Sequence, residues 1–271
     1  MYSIDLKGKK GLVLGVTNQR SIGWGIASKL HEAGATLAFS YQGERLLGTL
    51  EKLTADFDDT LLVKCDVTSD TDLDTVFTEI EERYGTLDFV VHSVAFAPPA
   101  TFAEAFSETS REDWKIAMDV SAYSLVAVAQ RAQKLMKNGG SILTMSYLAA
   151  ERVVPHYNMM GVAKAALEAS VRFLAYDLGK QGIRVNAISA GPVRTVAARS
   201  IAGFGDMYSR AGAMSMLRRN ITQEEVGGLA LSLVADDLGG GITGETIYVD
   251  AGFHAIGMFL DEAQEAEATG D

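Results

Sequence analysis

The chain has 271 residues, 48% of them hydrophobic, which is enough to bury the core of one ordinary α/β domain, and its formal net charge of −11 argues against non-specific nucleic-acid binding. The single cysteine, Cys65, excludes an internal disulfide, and four scattered histidines, His31, His92, His156 and His254, offer no metal-ligand spacing. The opening residues lack the apolar segment of a secretory signal and no apolar run approaches the ~18 residues that span a bilayer, so the expected setting is cytoplasmic, with no membrane partner.

In chain order, residues 11–15 form an apolar run that ends in glycine, and residues 21–31 follow with helical periodicity. Residues 35–41 read as a second strand, 44–55 as a charged helix, and 60–65 as a third strand. An amphipathic helix over 70–84 puts Leu73, Val76, Phe77 and Ile80 on one face. A fourth strand over 87–92 leads to a long helix over 111–136 and a fifth strand over 141–145. A helix carrying Tyr157 and Lys164 runs to residue 178, and strands over 184–188 and 246–250 complete the pattern. Strands alternating with helices at this spacing predict βαβ units and a parallel sheet in an α/β fold, with no interdomain linker. The acidic, Ala-rich tail over 261–271 is expected to be disordered.

The turn from Gly15 to Gly25 joins the first strand to the first helix. A helix start offers unpaired N–H groups and a positive dipole end, which suits a pyrophosphate held by Gly15, Ser21 and Ile22. The pattern is not Gly-x-Gly-x-x-Gly, and a glycine-containing turn alone is weak evidence; its place on the first strand of seven strengthens it. Gln42 stands where dinucleotide folds recognise the ribose, and its amide either bonds the hydroxyls or belongs to a turn. No basic cluster nearby fits a 2′-phosphate, so NADH is favoured, although Arg45 leaves NADPH open. Asp66, beside Val67, can meet the adenine amino group or cap a helix. Ser93 and Val94 leave room for a cofactor against the backbone.

Tyr157 and Lys164 lie seven residues apart. On a helix that is nearly two turns, roughly 10 Å along the axis, so a phenol and an ammonium project from one face. Together they can grip two ends of one bound object, whereas Tyr157 alone would read as a core aromatic. Counting back four residues from Lys164 gives Met160, which cannot do acid–base chemistry.

These features resemble the short-chain dehydrogenase/reductase superfamily, and within it the divergent branch of enoyl-acyl-carrier-protein reductases of bacterial fatty-acid synthesis. The resemblance rests on the Tyr-x6-Lys spacing in place of Tyr-x-x-x-Lys, and on residues 21–27, 92–97, 146–148 and 190–195. It covers nearly the whole chain, from Lys7 to Met258. Gly23 departs from the alanine more usual in the family.

The resemblance implies a Rossmann-type doubly wound sheet in one domain over residues 1–260, with NADH as cofactor and an enoyl thioester on acyl carrier protein as substrate. Hydride addition to the β-carbon would build negative charge on the thioester oxygen, where one well-aimed donor is worth about 3 kcal/mol. Tyr157 would be that donor, Lys164 would hold the cofactor ribose, and Tyr147 would assist or pack against substrate. Val193 and Thr195 would contact the nicotinamide amide. Ala97, Met160, Phe204 and Met207 would join the two tyrosines around the acyl chain. Residues 194–219, rich in methionine, would form a substrate lid; from the sequence alone the stretch could equally be a core helix. Arg194, Arg199, Arg210, Arg218 and Arg219 would offer an acidic carrier a landing site, or else line a solvated face. A homotetramer assembled through the 111–136 helix is also implied. The competing expectations are a carbonyl or hydroxyl oxidoreductase of the superfamily, against which Met160 speaks, and a non-catalytic dinucleotide sensor, against which the retained tyrosines and lysine speak.

Overall fold

Seven short segments, the inner ones mostly buried on both faces and the edge strands half-buried, form one parallel sheet in the order β3-β2-β1-β4-β5-β6-β7. The computed structural model describes residues 4–196 and 203–258. The first half contains β1 (Lys10–Leu14), α1 (Ile22–Glu32), β2 (Thr36–Tyr41), α2 (Glu44–Leu53), β3 (Leu61–Lys64), α3 (Asp70–Tyr84) and β4 (Phe89–His92). The short α4 (Ala100–Ala103), α5 (Arg111–Met118), α6 (Ser124–Leu135) and β5 (Gly140–Ser146) follow. The chain then runs through α7 (Asn158–Gly179), β6 (Ile183–Ala190), α8 (Phe204–Met214), α9 (Gln223–Val234), the short α10 (Asp236–Gly239) and β7 (Thr246–Val249).

Alternate residues of β1 face opposite layers, as a strand must. Leu12 and Leu14 join a cluster with Leu73, Val76 and Ile80 of α3, Leu125 and Val128 of α6, and Leu167 and Val171 of α7. Val13 joins the other cluster, with Ile26 and Leu30 of α1 and Val226 and Leu233 of α9. Cys65 lies in the first cluster, 4% exposed, and burial together with the carboxylates of Asp72 and Asp66 pushes its thiol up to about 12.

Local signals set the helix ends. Ser21, Ser69 and Ser110 each accept a backbone N–H at the start of α1, α3 and α5, and Thr222 with Glu225 forms a reciprocal capping box on α9. Gly85, left-handed at φ 72°, stops α3. Gly25 lets α1 and α9 touch backbone to backbone, because a Cβ there would sit 2.7 Å from Gln223 O.

The long helix expected over 111–136 is instead two helices, with a wider π-turn between them from Asp119 to Tyr123. Ser124 supplies a local cause: its hydroxyl donates to the Val120 carbonyl one turn back, at 2.6 Å, in competition with the amide ladder. Tyr157 also lies outside its helix, as the residue preceding α7, although its φ and ψ of −83° and −27° continue the helical path. Helix α9 lies beyond the expected elements. Residues 197–202 of the expected lid, Ile201 and Arg199 among them, and the tail from 259 onward fall outside the described residues.

Candidate active site

Strand order reverses direction between β1 and β4, and in open α/β sheets ligands bind at such a point, outside the carboxyl ends of the strands. The loops that follow β1, β2, β3, β4, β5 and β6 carry most of the candidate residues, while Ile22, Met160, Lys164, Phe204 and Met207 lie on α1, α7 and α8.

Gly15 follows β1 with φ 89°, and a Cβ on it would lie 2.0 Å from Ser93 O, so only glycine fits. The Ser93 amide in turn donates to Leu14 O at 3.1 Å, which joins the two loops at the switch point. Asn18 tightens the turn, accepting the Arg20 N–H on its side chain and the Ser21 hydroxyl on its carbonyl. Ser21 then caps α1 through Trp24 N, and Ile22 is the first helical residue. Gly23 is buried, and an alanine Cβ there would meet Ser93 and Val16 at 3.3 Å, a tight but small intrusion.

Gln42 and Asp66 come together at the ends of β2 and β3: the Gln42 amide donates to Asp66 Oδ2 at 3.0 Å. Asp66 also accepts the Thr68 amide and hydroxyl, and these bonds, the amide first, hold its carboxyl below the usual range despite partial burial. Asp66 therefore does not cap α3; Ser69 does. Val67 and Val94 both pack against the apolar cluster that backs β3 and β4. After β6, the Thr195 amide bonds Val193 O at 2.7 Å, turning that loop back on itself.

Tyr147 and Tyr157 meet between β5 and α7, and Lys164 of α7 reaches the end of β5 at Met145. The two tyrosine rings pack edge to face with centroids 4.9 Å apart, and Phe102 meets Tyr157 from the other side at 6.5 Å. Burial pushes the Tyr147 phenol up to about 12, with Asp250 adding to the shift, and raises Tyr157 further, so both hydroxyls stay protonated donors at neutral pH. Lys164 is 4% exposed and donates to Met145 O at 2.6 Å. Burial lowers its ammonium to about 8 against the opposing pull of Glu168. Glu168 accepts the Ser146 hydroxyl, and burial raises its carboxyl above the usual range.

Ala97, Met159 and Met160 form a small apolar cluster against Tyr157 and Phe102. Met207 of α8 reaches the same place: the Tyr147 hydroxyl lies 3.9 Å from its sulfur. Phe204 is buried and packs on Tyr208, over which the Arg194 guanidinium lies 4.4 Å from the ring centroid. The described part of the expected lid is thus a helix resting on Tyr147 and on the loop after β6. Arg219 is tied to Glu225 by two hydrogen bonds, whereas Arg210 is exposed on α8.

Sequence reasoning missed two polar ties. Asn158, at φ 41°, donates to both Thr101 O and Glu104 O and so anchors the residue after Tyr157; asparagine is one of the few side chains suited to that conformation. His92 is fully buried at the end of β4, its ring bonded to Thr144 Oγ1 at 3.0 Å and Ser124 Oγ at 2.8 Å. Burial, with Lys164 nearby, drops it to about 3, so it is neutral. The shortest contacts fit Nε2–H donating to Ser124 while Nδ1 accepts from Thr144. Neither tie has a spacing motif that could have announced it.

The family profile described as enoyl-(acyl carrier protein) reductase matches residues 15–254. A protein named enoyl-(acyl-carrier-protein) reductase (NADH) 1 from Rhizobium meliloti is 47% identical over 266 residues, covering 98% of this chain and 97% of the relative. A protein named enoyl-(acyl-carrier-protein) reductase (NADH) from Bacillus cereus is 50% identical over 254 residues, covering 93% and 99%. Among solved structures, the enoyl-acyl-carrier-protein reductase of Anaplasma phagocytophilum in complex with NAD superposes with a TM-score of 0.91 at 47% identity, covering 96% of this chain and 99% of that one.

Proposed function

The chain belongs to the enoyl-(acyl carrier protein) reductase family, and from that premise we propose how its own residues carry the reaction. The protein is an NADH-dependent enoyl-acyl-carrier-protein reductase, which converts the trans-2-enoyl thioester of the fatty-acid elongation cycle to the saturated acyl thioester. The residues at the strand ends fit a dinucleotide: a helix N-terminus after β1, a glycine no other residue can replace, and the Gln42–Asp66 pair beyond β2 and β3. A 2′-phosphate beside the Asp66 carboxylate would face a like charge, which favours NADH over NADPH.

Gly15, Ser21 and Ile22 would hold the pyrophosphate, Gln42 the adenosine ribose, Asp66 and Val67 the adenine, and Ser93, Val94, Val193 and Thr195 the nicotinamide end. When bound, NADH supplies the hydride that reaches the β-carbon of the enoyl thioester. Lys164, which donates to Met145 O, would hold the nicotinamide ribose hydroxyls and add positive potential. Tyr157 would donate a hydrogen bond from its hydroxyl to the thioester oxygen as negative charge grows there, and a solvent proton taken up at the α-carbon would complete the saturated thioester. Tyr147, in edge contact with Tyr157, orients that donor and lines the acyl site with Ala97, Met160, Phe204 and Met207. The observation that carries this reading is the packed pair of phenols just beyond β5, together with a buried ammonium held at Met145 O near the end of the same strand.

Helix α8 acts as the lid, and its exposed Arg210 is the docking cation for the acidic carrier, since Arg219 is engaged by Glu225. The exposed aromatics Tyr123, Phe173 and Tyr176 on the α6–α7 face support assembly into a homotetramer. No helix of the described residues is long and apolar enough to cross a membrane, in keeping with a cytoplasmic setting. Purified protein mixed with a short trans-2-enoyl thioester should consume NADH absorbance, and NADPH far more slowly. Absence of thioester-dependent oxidation of either cofactor, with carrier-linked substrate also inert, would overturn the reading.

A further inference from the structure

The π-turn between α5 and α6 brings two serines, three residues apart, onto the chain that leaves β4. Such turns recur at functional sites, where the break in the helical ladder aims side chains that an α-helix would space differently. Ser124 meets His92, the last residue of β4, at 2.8 Å. Ser121, fully buried, accepts the Phe96 N–H at 2.9 Å and donates to the Phe96 carbonyl at 2.7 Å. One hydroxyl therefore holds both backbone groups of a single loop residue, as a neighbouring strand would.

That loop crosses the switch point. It is tied at its start where Ser93 bonds Leu14 O, and beyond its far end where Asn158 bonds Thr101 O. Phe96 lies between these two ties. The next residue, Ala97, is 5% exposed and packs in the apolar cluster that meets Tyr157. Met160, in the same cluster, has its sulfur 3.6 Å from Ser121 Oγ. The serine thus touches the loop on one side and the helix that follows Tyr157 on the other.

We propose that Ser121 is a positioning residue of the reductase: its hydroxyl fixes the Phe96 backbone and so sets the distance between the Val94–Ala97 wall and Tyr157. This role rests on the enoyl-reductase reading of the site. In a loop with few other ties, a methyl in place of the hydroxyl strands one donor and one acceptor next to the core, and they regain partners only if the loop moves toward water. Movement there misplaces the enoyl thioester between the cofactor and Tyr157, while the adenosine contacts on β2 and β3 stay as they were.

The test compares full-length wild type, Ser121→Ala and Ser121→Thr. Three readouts are taken: kcat/KM for a short trans-2-enoyl thioester, Kd for NADH in the binary complex, and amide hydrogen exchange of residues 93–99. Ser121→Ala should lower kcat/KM by about tenfold or more, leave Kd for NADH within about threefold, and speed exchange in that segment. Ser121→Thr, which keeps the hydroxyl, should recover most of the rate and the slow exchange. A Ser121→Ala enzyme with unchanged kcat/KM overturns the proposal. So does an equal loss of NADH binding and catalysis, or failure of both variants to fold, since either makes the serine merely structural. A wild type without thioester-dependent oxidation overturns the enoyl-reductase reading and this role with it; faster exchange in Ser121→Ala would still separate that failure from absence of the clamp.

Discussion

Replacing Lys164 with methionine should strengthen the fold and weaken the cofactor complex. Met keeps a long apolar stem but removes the ammonium, which is 4% exposed and pushed from 10.5 to about 8, chiefly by burial. Each unit of that shift is about 1.4 kcal/mol, so at neutral pH the charged lysine costs the folded state about 3 kcal/mol relative to its neutral form. The sign follows from proton counting. The folded pKa is depressed, so below pH 8 both states carry the proton and the full cost is present; it fades as pH rises from 8 toward 10.5, where only the unfolded state still binds the proton. Loss of the bond to Met145 O returns about 1–2 kcal/mol of the gain. The net expectation is a stabilisation of about 1–2 kcal/mol, a rise in Tm of about 2–6 °C near pH 7 that shrinks toward pH 10. Cofactor binding should move the other way. A charge-assisted hydrogen bond to a ribose hydroxyl contributes about 1.5–3 kcal/mol, so Kd for NADH should increase about 10- to 150-fold. Wild-type NADH affinity should also weaken as pH passes 8, while that of Lys164→Met stays flat. Differential scanning calorimetry and NADH fluorescence titrations across pH 6–10 read both effects. A variant that binds NADH as tightly as wild type while losing turnover would refute the assignment of Lys164 to the cofactor.

Tyr157→Phe keeps the ring between Tyr147 and Phe102 and removes only the hydroxyl, so Tm should hold within about 2 °C while kcat/KM falls about a hundredfold; a fall of less than threefold would assign the donor elsewhere. Gly15→Ala places a Cβ 2.0 Å from Ser93 O at φ 89°, and should lower Tm by about 10 °C or more, or leave no folded protein to purify; a well-folded, NADH-binding variant would contradict the geometry of the switch point. Arg210→Glu should raise KM for carrier-linked substrate by about three- to tenfold and spare a small thioester analogue, and equal effects on both would reject carrier docking at α8.

Much of the fold was legible because the strands of a parallel sheet, covered on both faces, read as plain apolar runs. The α3 boundaries follow from Ser69 at one end and Gly85 at the other, both local signals. The long helix was not legible as two, because its break depends on Ser124 bonding back to Val120 and on Ser121 reaching a loop residue far away in sequence. Helix α9 carries adjacent glycines, Gly227 and Gly228, which lower helix propensity; its place is set by tertiary contact, where Gly227 and Gly25 allow α9 and α1 to meet. At the site, spacing was enough to bring Tyr157 and Lys164 under suspicion. It carried no information on Gln42 meeting Asp66, on Met207 reaching Tyr147, or on Arg219 turning to Glu225, since each depends on which loops the sheet brings side by side.

The buried thiol of Cys65 makes the native chain a convenient background for spectroscopic labelling. Near neutral pH a group at about 12 presents almost no thiolate, and its burial beneath β3 keeps maleimides and oxidants away. A cysteine introduced in place of Ser209, on the exposed side of α8, would be the one thiol that takes up dye. Fluorescence from that position would test whether α8 moves over Tyr147 during turnover, with no native cysteine removed beforehand.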